Sequence, residues 1–372
     1  VKVSLLLPGT IFGGVMGKDL RTHLLNHTDI KDLIGFENKG IFSTIDDRYR
    51  FAILTFKYGG RTTHLRGIFD QQNTDILYNI DDVAAEIPRE VLLNYSPEAR
   101  LFPLISSQIE VDVLNKIVNH PPMDDNIEDA WTVDVLTKEF VESTDRDRLL
   151  TSSENADYPV YGGKNIHQFE YDNTHSQELA SPEYWSRGMY DPPNSAQYRV
   201  REKKFNRGHL KRALYDNFGG RETSESQVQF VNDLLNEKRG HGLKEEDVLL
   251  DCTEYRIGIR DVTNSTNERT IIAAVLPKDV VCLHTINLFK PFSIEPKEDH
   301  LSESPLRSVY NRRFTDNELF AATGLLNSIA FDFIMRTKVS THIIKRELME
   351  SQMPRLTDGD DWFHYISERA AR

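Results

Sequence analysis

Four groups of residues in this 372-residue chain have side chains suited to gripping a ligand. The first lies in YPVYGGKNIHQFEYD, Tyr158 to Asp172, where Gly162-Gly163 is followed by Lys164 and Asn165. A tight turn uses the glycines but does not need the cation or the amide. Directional donors and acceptors beside closely approaching backbone are what reading a base pair requires. Gln168 offers a second amide. The second group is a polar loop between two strand-like runs: Arg260, Asp261, Asn264, Thr266, Asn267, Glu268 and Arg269. Its side chains suit phosphates or bases, or equally a self-satisfied turn in which Arg260 and Asp261 pair. The third is RVREKKFNRGHLKR, where Arg199, Arg201, Lys203, Lys204, Arg207, Lys211 and Arg212 face one Glu, seven less one, a local +6. Such a stripe grips phosphates or simply solvates a helix face. The fourth comprises Arg336, Lys338 and His342 at a helix junction, candidate phosphate contacts. Asn327, beside an apolar helix face, reads as a helix-packing amide.

Other motifs fail on spacing. GTIFGGVMGKD follows a strand, but a phosphate loop needs glycine where Phe12 stands and Ser or Thr where Asp19 stands. It reads as a flexible strand-to-helix loop. DPPN, Asp191 to Asn194, has the first three residues of the amino-methyltransferase tetrapeptide. Its fourth residue, Asn194, cannot stack on a base, and no strand precedes it. It reads as a proline turn. Cys282 and His284 lack a second ligand pair at zinc spacing, and no nucleophile elbow is present.

The elements that would position these groups follow from periodicity. VKVSLLLP reads as a buried strand, and Lys18 to Thr28 as a helix with Leu20, Leu24 and Leu25 inward. IKDLIGF and YRFAILTF read as further strands, so residues 1 to 62 resemble the closing part of an α/β sheet. Ser107 to Asn119 reads as a helix with Ile109, Val113, Ile117 and Val118 inward. Glu225 to Glu237 reads as another, with Val228, Val231, Leu234 and Leu235 inward, stopped by Gly240. Tyr255–Ile259 and Thr270–Leu276 read as strands. Asp316 to Arg336 reads as one long helix and Thr341 to Met349 as a second.

Composition bounds the rest. The net charge of −13 argues against a uniformly basic nucleic-acid binder but leaves room for a local basic stripe. Two cysteines, Cys252 and Cys282, argue for a reducing compartment and against a disulfide framework. No apolar run is long enough to span a bilayer; the nearest, Ile271 to Phe289, is broken by Pro277-Lys278-Asp279. No signal-peptide pattern is present, so the location expected is the cytoplasm. The chain opens directly in a strand, which reads as a piece of a longer protein.

Four segments taken together carry more. GFENKGIFSTIDDRYRFAILTF, YPVYGGKNIHQFEYD, YRIGIRDVTNSTNERTIIAAVLP and LLNSIAFDFIMRTKVSTHI, in this order, resemble the C-terminal part of adenine-N6 DNA methyltransferases. The nearest kind is the large fused enzymes of type IIG restriction–modification and related phage-defence systems. The resemblance covers nearly the whole chain. It implies an α+β protein: a remnant of an α/β methyltransferase sheet over 1–62, a connector over 63–97, and a mixed α+β target recognition domain over 98–372 ending in helices. It implies that the parent methylates adenine with S-adenosylmethionine and that its cofactor and catalytic motifs lie upstream of Val1. The fragment is then expected to bind no cofactor and to be inactive alone, with double-stranded DNA and the upstream methyltransferase domain as partners. A stand-alone specificity subunit and an acidic protein-interaction module are the alternatives.

Overall fold

A computed structural model describes residues 1–13, 15–146, 149–154, 156–171, 181–186, 201–339 and 341–372; the side chains of Val15 and of 201–205 lie outside the description. The described residues form a mixed α+β structure with five separate sheets of two to five strands. They divide into two compact units. Unit 1 holds Val1–Asp125, Thr263–Thr270 and Ser328–Pro354; unit 2 holds Asn126–Val262, Ile271–Asn327 and Arg355–Arg372.

In unit 1 the expected strands form and continue beyond expectation. β1 (Lys2–Pro8), β2 (Thr28–Glu37), β3 (Arg50–Tyr58), β4 (His64–Gln71) and β5 (Ala85–Pro88) make one sheet in the order β1-β3-β2-β4-β5. Only β2 and β4 pair in parallel; the other pairs are antiparallel. The sheet therefore does not stop near residue 62. β-branched and aromatic residues of β2, β3 and β4 bury Ile34, Phe36, Phe51 and Ile68 against one another, with Phe36 and Phe51 stacked at 5.1 Å. Each such side chain contributes roughly 1.5–3 kcal/mol by leaving water.

Three expectations change here. β1 is an edge strand, and its Leu5 and Leu6 are exposed rather than buried. In α1 (Lys18–His27) Leu24 and Leu25 point inward, but Leu20 is exposed and Arg21 takes the buried place. The Arg21 guanidinium reaches the carbonyls of Arg100 (2.7 Å), Ala99 (2.7 Å) and Gly13 (3.1 Å). The glycine loop after β1 thus turns a carbonyl toward a cation, the opposite polarity to a phosphate cradle. In helix Gln108–Ile117 a Ser107–Glu110 capping box sets the first turn. Val111, Leu114 and Ile117 face inward, while Ile109 and Val113 are exposed.

Unit 2 is assembled from short strands and helices. Ala273–Leu276, Arg256–Arg260, Ile286–Phe289 and Val135–Leu136 lie side by side in that order, all antiparallel. Tyr184–Ser186, Tyr158–Tyr161 and Val281–Cys282 form a three-stranded sheet. Arg256 and Glu139, both fully buried, pair at 2.8 Å, and Glu139 also accepts the Cys282 N–H at 2.6 Å. Helices Arg201–Asn217 and Gln227–Arg239 share a core of Leu210, Leu214, Val231 and Leu235. Gly240 ends the second helix at φ 80°, the left-handed cap that favours glycine. Val228, expected inward, is exposed.

The run Asp316 to Arg336 is not one helix. Asp316–Leu326 stops at Asn327, whose buried amide holds both the N–H (3.0 Å) and the C=O (2.8 Å) of Ala273. Asn327 is thereby the packing amide expected. Ser328 then caps a new helix, Ile329–Arg336, which belongs to unit 1. The helix after it is shorter than expected, Lys345–Met349. No single helix among the described residues is long and apolar enough to cross a membrane.

Candidate nucleic-acid interface

The double glycine does not make a hairpin. Strand Tyr158–Tyr161 pairs with Tyr184–Ser186 and with Val281–Cys282. Ile166–His167 pairs instead with Glu170–Tyr171. Between them Gly163–Asn165 makes a single 3-10 turn. Gly162 has φ −112°, which any residue adopts. What requires glycine is proximity. A Cβ on Gly163 would lie 3.3 Å from both Arg260 Cγ and the Thr285 carbonyl, tighter than ordinary contact. The Gly163 N–H donates to Thr285 Oγ1 at 2.9 Å.

Asn165 is buried, and its Oδ1 accepts the Gly162 N–H at 2.7 Å. The expectation that this amide faces outward is corrected: it holds the turn from inside. Lys164 is half exposed and pairs with Glu183. Gln168, half-buried, sits with Phe169 in the turn between Ile166–His167 and Glu170–Tyr171. Phe169 has φ 65°, and its N–H reaches the Ala273 carbonyl at 3.0 Å.

Gly162 and Gly163 form part of the wall of a cleft of about 590 Å³. Lys164, His167, Arg260 and Thr285 line it together with Glu142, Glu170 and Glu183. Arg260 Nη2 donates to the Ile166 carbonyl, and its Nε is buried without a partner. Burial lowers the Arg260 pKa, yet a guanidinium stays charged at neutral pH. Asp261 accepts from Asn287 Nδ2 at 3.0 Å. Glu142 accepts the Tyr184 hydroxyl at 2.9 Å. Three carboxylates would repel a phosphate backbone running through this cleft. Cations and carboxylates mixed on a concave surface instead match base edges, with Lys or Arg opposite guanine O6 and N7 and Glu opposite the cytosine amine.

Of the basic stripe, Arg199 lies outside the described residues, and Arg201, Lys203 and Lys204 are described only as helical backbone. Arg207 pairs with Glu245 at 2.5 Å. Lys211 is half-buried and Arg212 exposed.

Thr263–Thr270 of the polar loop belongs to unit 1, and Arg260 and Asp261 to unit 2. Thr263 Oγ1 donates to the Thr270 carbonyl at 2.7 Å and closes its base. Arg336 donates to the carbonyls of Ser265 (2.8 Å) and Glu268 (3.0 Å) and pairs with Asp332 at 2.9 Å. Asp332 also accepts the Thr270 N–H at 2.7 Å. Arg336 therefore holds the loop rather than facing outward as a phosphate contact. Asn264 Oδ1 caps the Thr266 N–H at 3.0 Å. Asn267 is exposed, and Arg269, half-buried, makes no side-chain hydrogen bond or ion pair with another described residue.

Lys338 is corrected too. Its ammonium lies over the Tyr95 ring (4.7 Å) and donates to the buried Ser351 hydroxyl at 3.0 Å. Burial lowers its pKa to about 8. It is an internal cation beside Glu347, which burial raises to about 7. His342 is exposed.

Sequence reasoning missed Thr285, Glu183 and Glu142, which complete the cleft, because nothing in their local spacing marks them. It missed Asp332 as the loop's anchor for the same reason; only its place four residues before Arg336 is a signal.

No protein-family model and no curated protein matches the chain. Among solved structures it is similar to the type IIG restriction endonuclease BpuSI, with TM-score 0.34 and 11% identity over 99% of this chain and 42% of that one. It is similar to the type IIL restriction-modification enzyme MmeI in complex with DNA, with TM-score 0.42 and 11% identity over 100% and 41%. It is also similar to a nuclease-deletion mutant of the type ISP enzyme LlaGI with a DNA substrate mimic, with TM-score 0.39 and 11% identity over 100% and 35%. The chain spans less than half the length of these enzymes. Scores below 0.5 fall short of a shared fold.

Proposed function

We propose that this chain supplies duplex-DNA recognition to an adenine-N6 methyltransferase of a restriction–modification or phage-defence system. One observation carries the reading: segments that resemble that family, far apart in sequence, meet within each unit. In unit 2, Gly163 and Ile166 of the second segment lie against Arg260 of the third, and Asn327 of the fourth grips Ala273 of the third. In unit 1, Arg336 and Asp332 of the fourth segment hold the 263–270 loop of the third. The cleft of unit 2 would meet base edges, and Lys164 at its rim and the exposed Arg212 would meet phosphates.

Methyl transfer from S-adenosylmethionine would belong to another part of the parent. The glycine loop after β1 holds the Arg21 guanidinium and does not fit the cofactor, so no catalytic step is assigned to these residues. The test is binding of duplexes with randomised sequence. Selection of a discrete motif, lost when Arg260 is replaced by Met, is the result expected. Equal binding of all sequences, unchanged in Arg260→Met, overturns base reading.

A further inference from the structure

In unit 2 a second cavity, of about 290 Å³, is lined by Asn206, Arg212, Asp251, Phe292 and Tyr310 among others. Its polar groups are unusual in what they lack. Asn206, 4% exposed, donates from Nδ2 to the Leu249 carbonyl at 3.1 Å, but its Oδ1 has no partner. Asp251, 6% exposed, leaves Oδ2 without a partner. Buried oxygens of native proteins are nearly always paired. Here two residues that line the same cavity each carry an unpaired acceptor, and burial pushes the Asp251 carboxyl up to about 6.

The rest of the wall defines what would pair with them. Phe292 and Tyr310 present aromatic rings, edge to face at 6.0 Å. The Tyr310 hydroxyl is already engaged with Leu249 and Asp247, so only its ring is offered. Of the cations, Lys290 is paired with Asp134 at 2.7 Å and Arg313 donates to Thr132 Oγ1 at 2.6 Å. Arg212 is exposed and forms no ion pair with a described residue. The described residues contain no group of three or more His, Cys, Asp or Glu that could hold a metal ion. A fitting ligand is flat and apolar on its faces, carries N–H donors on one edge, and bears an anion at the far end.

We propose that this cavity binds a guanine nucleotide. The N1–H and N2–H₂ edge of the base donates to Asp251 and Asn206, the ring lies against Phe292 and Tyr310, and the phosphate meets Arg212. Guanine is favoured because it presents two adjacent donors, whereas adenine and cytosine present one exocyclic amine and uracil a single ring N–H. The cavity has room for one base. The nucleotide is either free in solution or unstacked within DNA; the chemistry is the same. The proposal does not depend on the DNA-recognition reading, since a free mononucleotide suffices.

The experiment is calorimetric titration of the whole chain with guanosine, inosine and uridine monophosphates. Guanosine monophosphate should bind, inosine monophosphate, which lacks the N2 amine, about tenfold more weakly, and uridine monophosphate not measurably. Asp251→Asn should lower guanosine monophosphate affinity at least tenfold with the near-UV circular dichroism unchanged. Arg212→Ala, a surface change that leaves folding intact, should weaken the monophosphate but not guanosine. A duplex carrying guanine opposite an abasic site is then added. Displacement of the mononucleotide identifies a DNA-borne base as the source, and failure to displace identifies the free nucleotide; both support the site. Equal affinity for guanosine and uridine monophosphates, no binding at millimolar ligand by folded protein, or equal loss of guanosine and its monophosphate in Arg212→Ala overturns it.

Discussion

Lys164 and Asn165 are neighbours in sequence but should separate cleanly on substitution. Asn165→Ala removes the acceptor that holds the Gly162 N–H at 2.7 Å inside the turn. A buried donor left unpaired costs about 1–3 kcal/mol, so unfolding of unit 2 should shift by that much in urea. Lys164→Ala removes only an ion pair with Glu183 in which both side chains are about half exposed. Such pairs contribute roughly 0–1 kcal/mol, so stability should barely move. DNA binding should respond the other way. If Lys164 meets a phosphate, its loss reduces the slope of log K against log[salt] by about 0.9. Between 50 and 200 mM salt that is roughly a three- to fourfold change in the affinity ratio. Folded Asn165→Ala protein should keep the parental slope. The assay is fluorescence anisotropy with a labelled duplex, beside urea unfolding of the same preparations. A large stability loss in Lys164→Ala, or a changed salt slope in fully folded Asn165→Ala, would refute the division of labour.

Three further outcomes are expected. Glu139→Ala removes the carboxylate from the buried Arg256 guanidinium and should destabilise unit 2 by about 3–5 kcal/mol in urea unfolding. Asp332→Ala removes the acceptor of Thr270 N–H and the partner of Arg336, so limited proteolysis within 263–270 should become faster than in the unsubstituted chain; unchanged cleavage would show that Arg336 alone holds the loop. The pH dependence of unit 1 should show two limbs. Glu347 is raised from 4.5 to about 7, so the folded state holds more protons there and stability falls as pH rises from about 4.5 to 7. Lys338 is lowered from 10.5 to about 8, so the unfolded state holds more protons and stability rises from about pH 8 to 10.5. Glu350, Glu347 and Asp124 face Lys338 and moderate the alkaline limb, while Lys338 and Arg346 moderate the Glu347 limb and Glu350 enlarges it. Lys338→Met should abolish the alkaline limb in urea titrations across pH.

Periodicity located the elements well and their buried faces less well. The strands around Phe36, Phe51 and Leu54 and the helix stop at Gly240 were legible because pleat alternation and a left-handed cap are local rules. The inward face of α1 was legible at Leu24 and Leu25 but not at Arg21, because the carbonyls that receive its guanidinium come from residues 13, 99 and 100. Apolar repeats ran unbroken from Leu319 to Ile334, so nothing local announced the break at Asn327. It exists because a strand 54 residues away needs that amide. The same holds for the double glycine. Its residue types suggested a tight turn between paired strands, but glycine is needed there because Thr285 and Arg260 pass so close. Composition marked the candidate interface as polar. It could not separate Lys164, at the rim of the cleft, from Asn165, inside the turn.

Binding of the chain to duplex DNA as a function of salt tests the central claim most directly. Lys164, Lys211, Arg212 and Arg269 are four of the described cations named for phosphate or base contact that are at least partly exposed. If all four meet phosphates, they give a slope of about −3.6, or roughly a hundredfold loss of affinity between 50 and 200 mM salt. The account predicts a slope near that value. Affinity that is absent at 50 mM, or flat across that range, would contradict it.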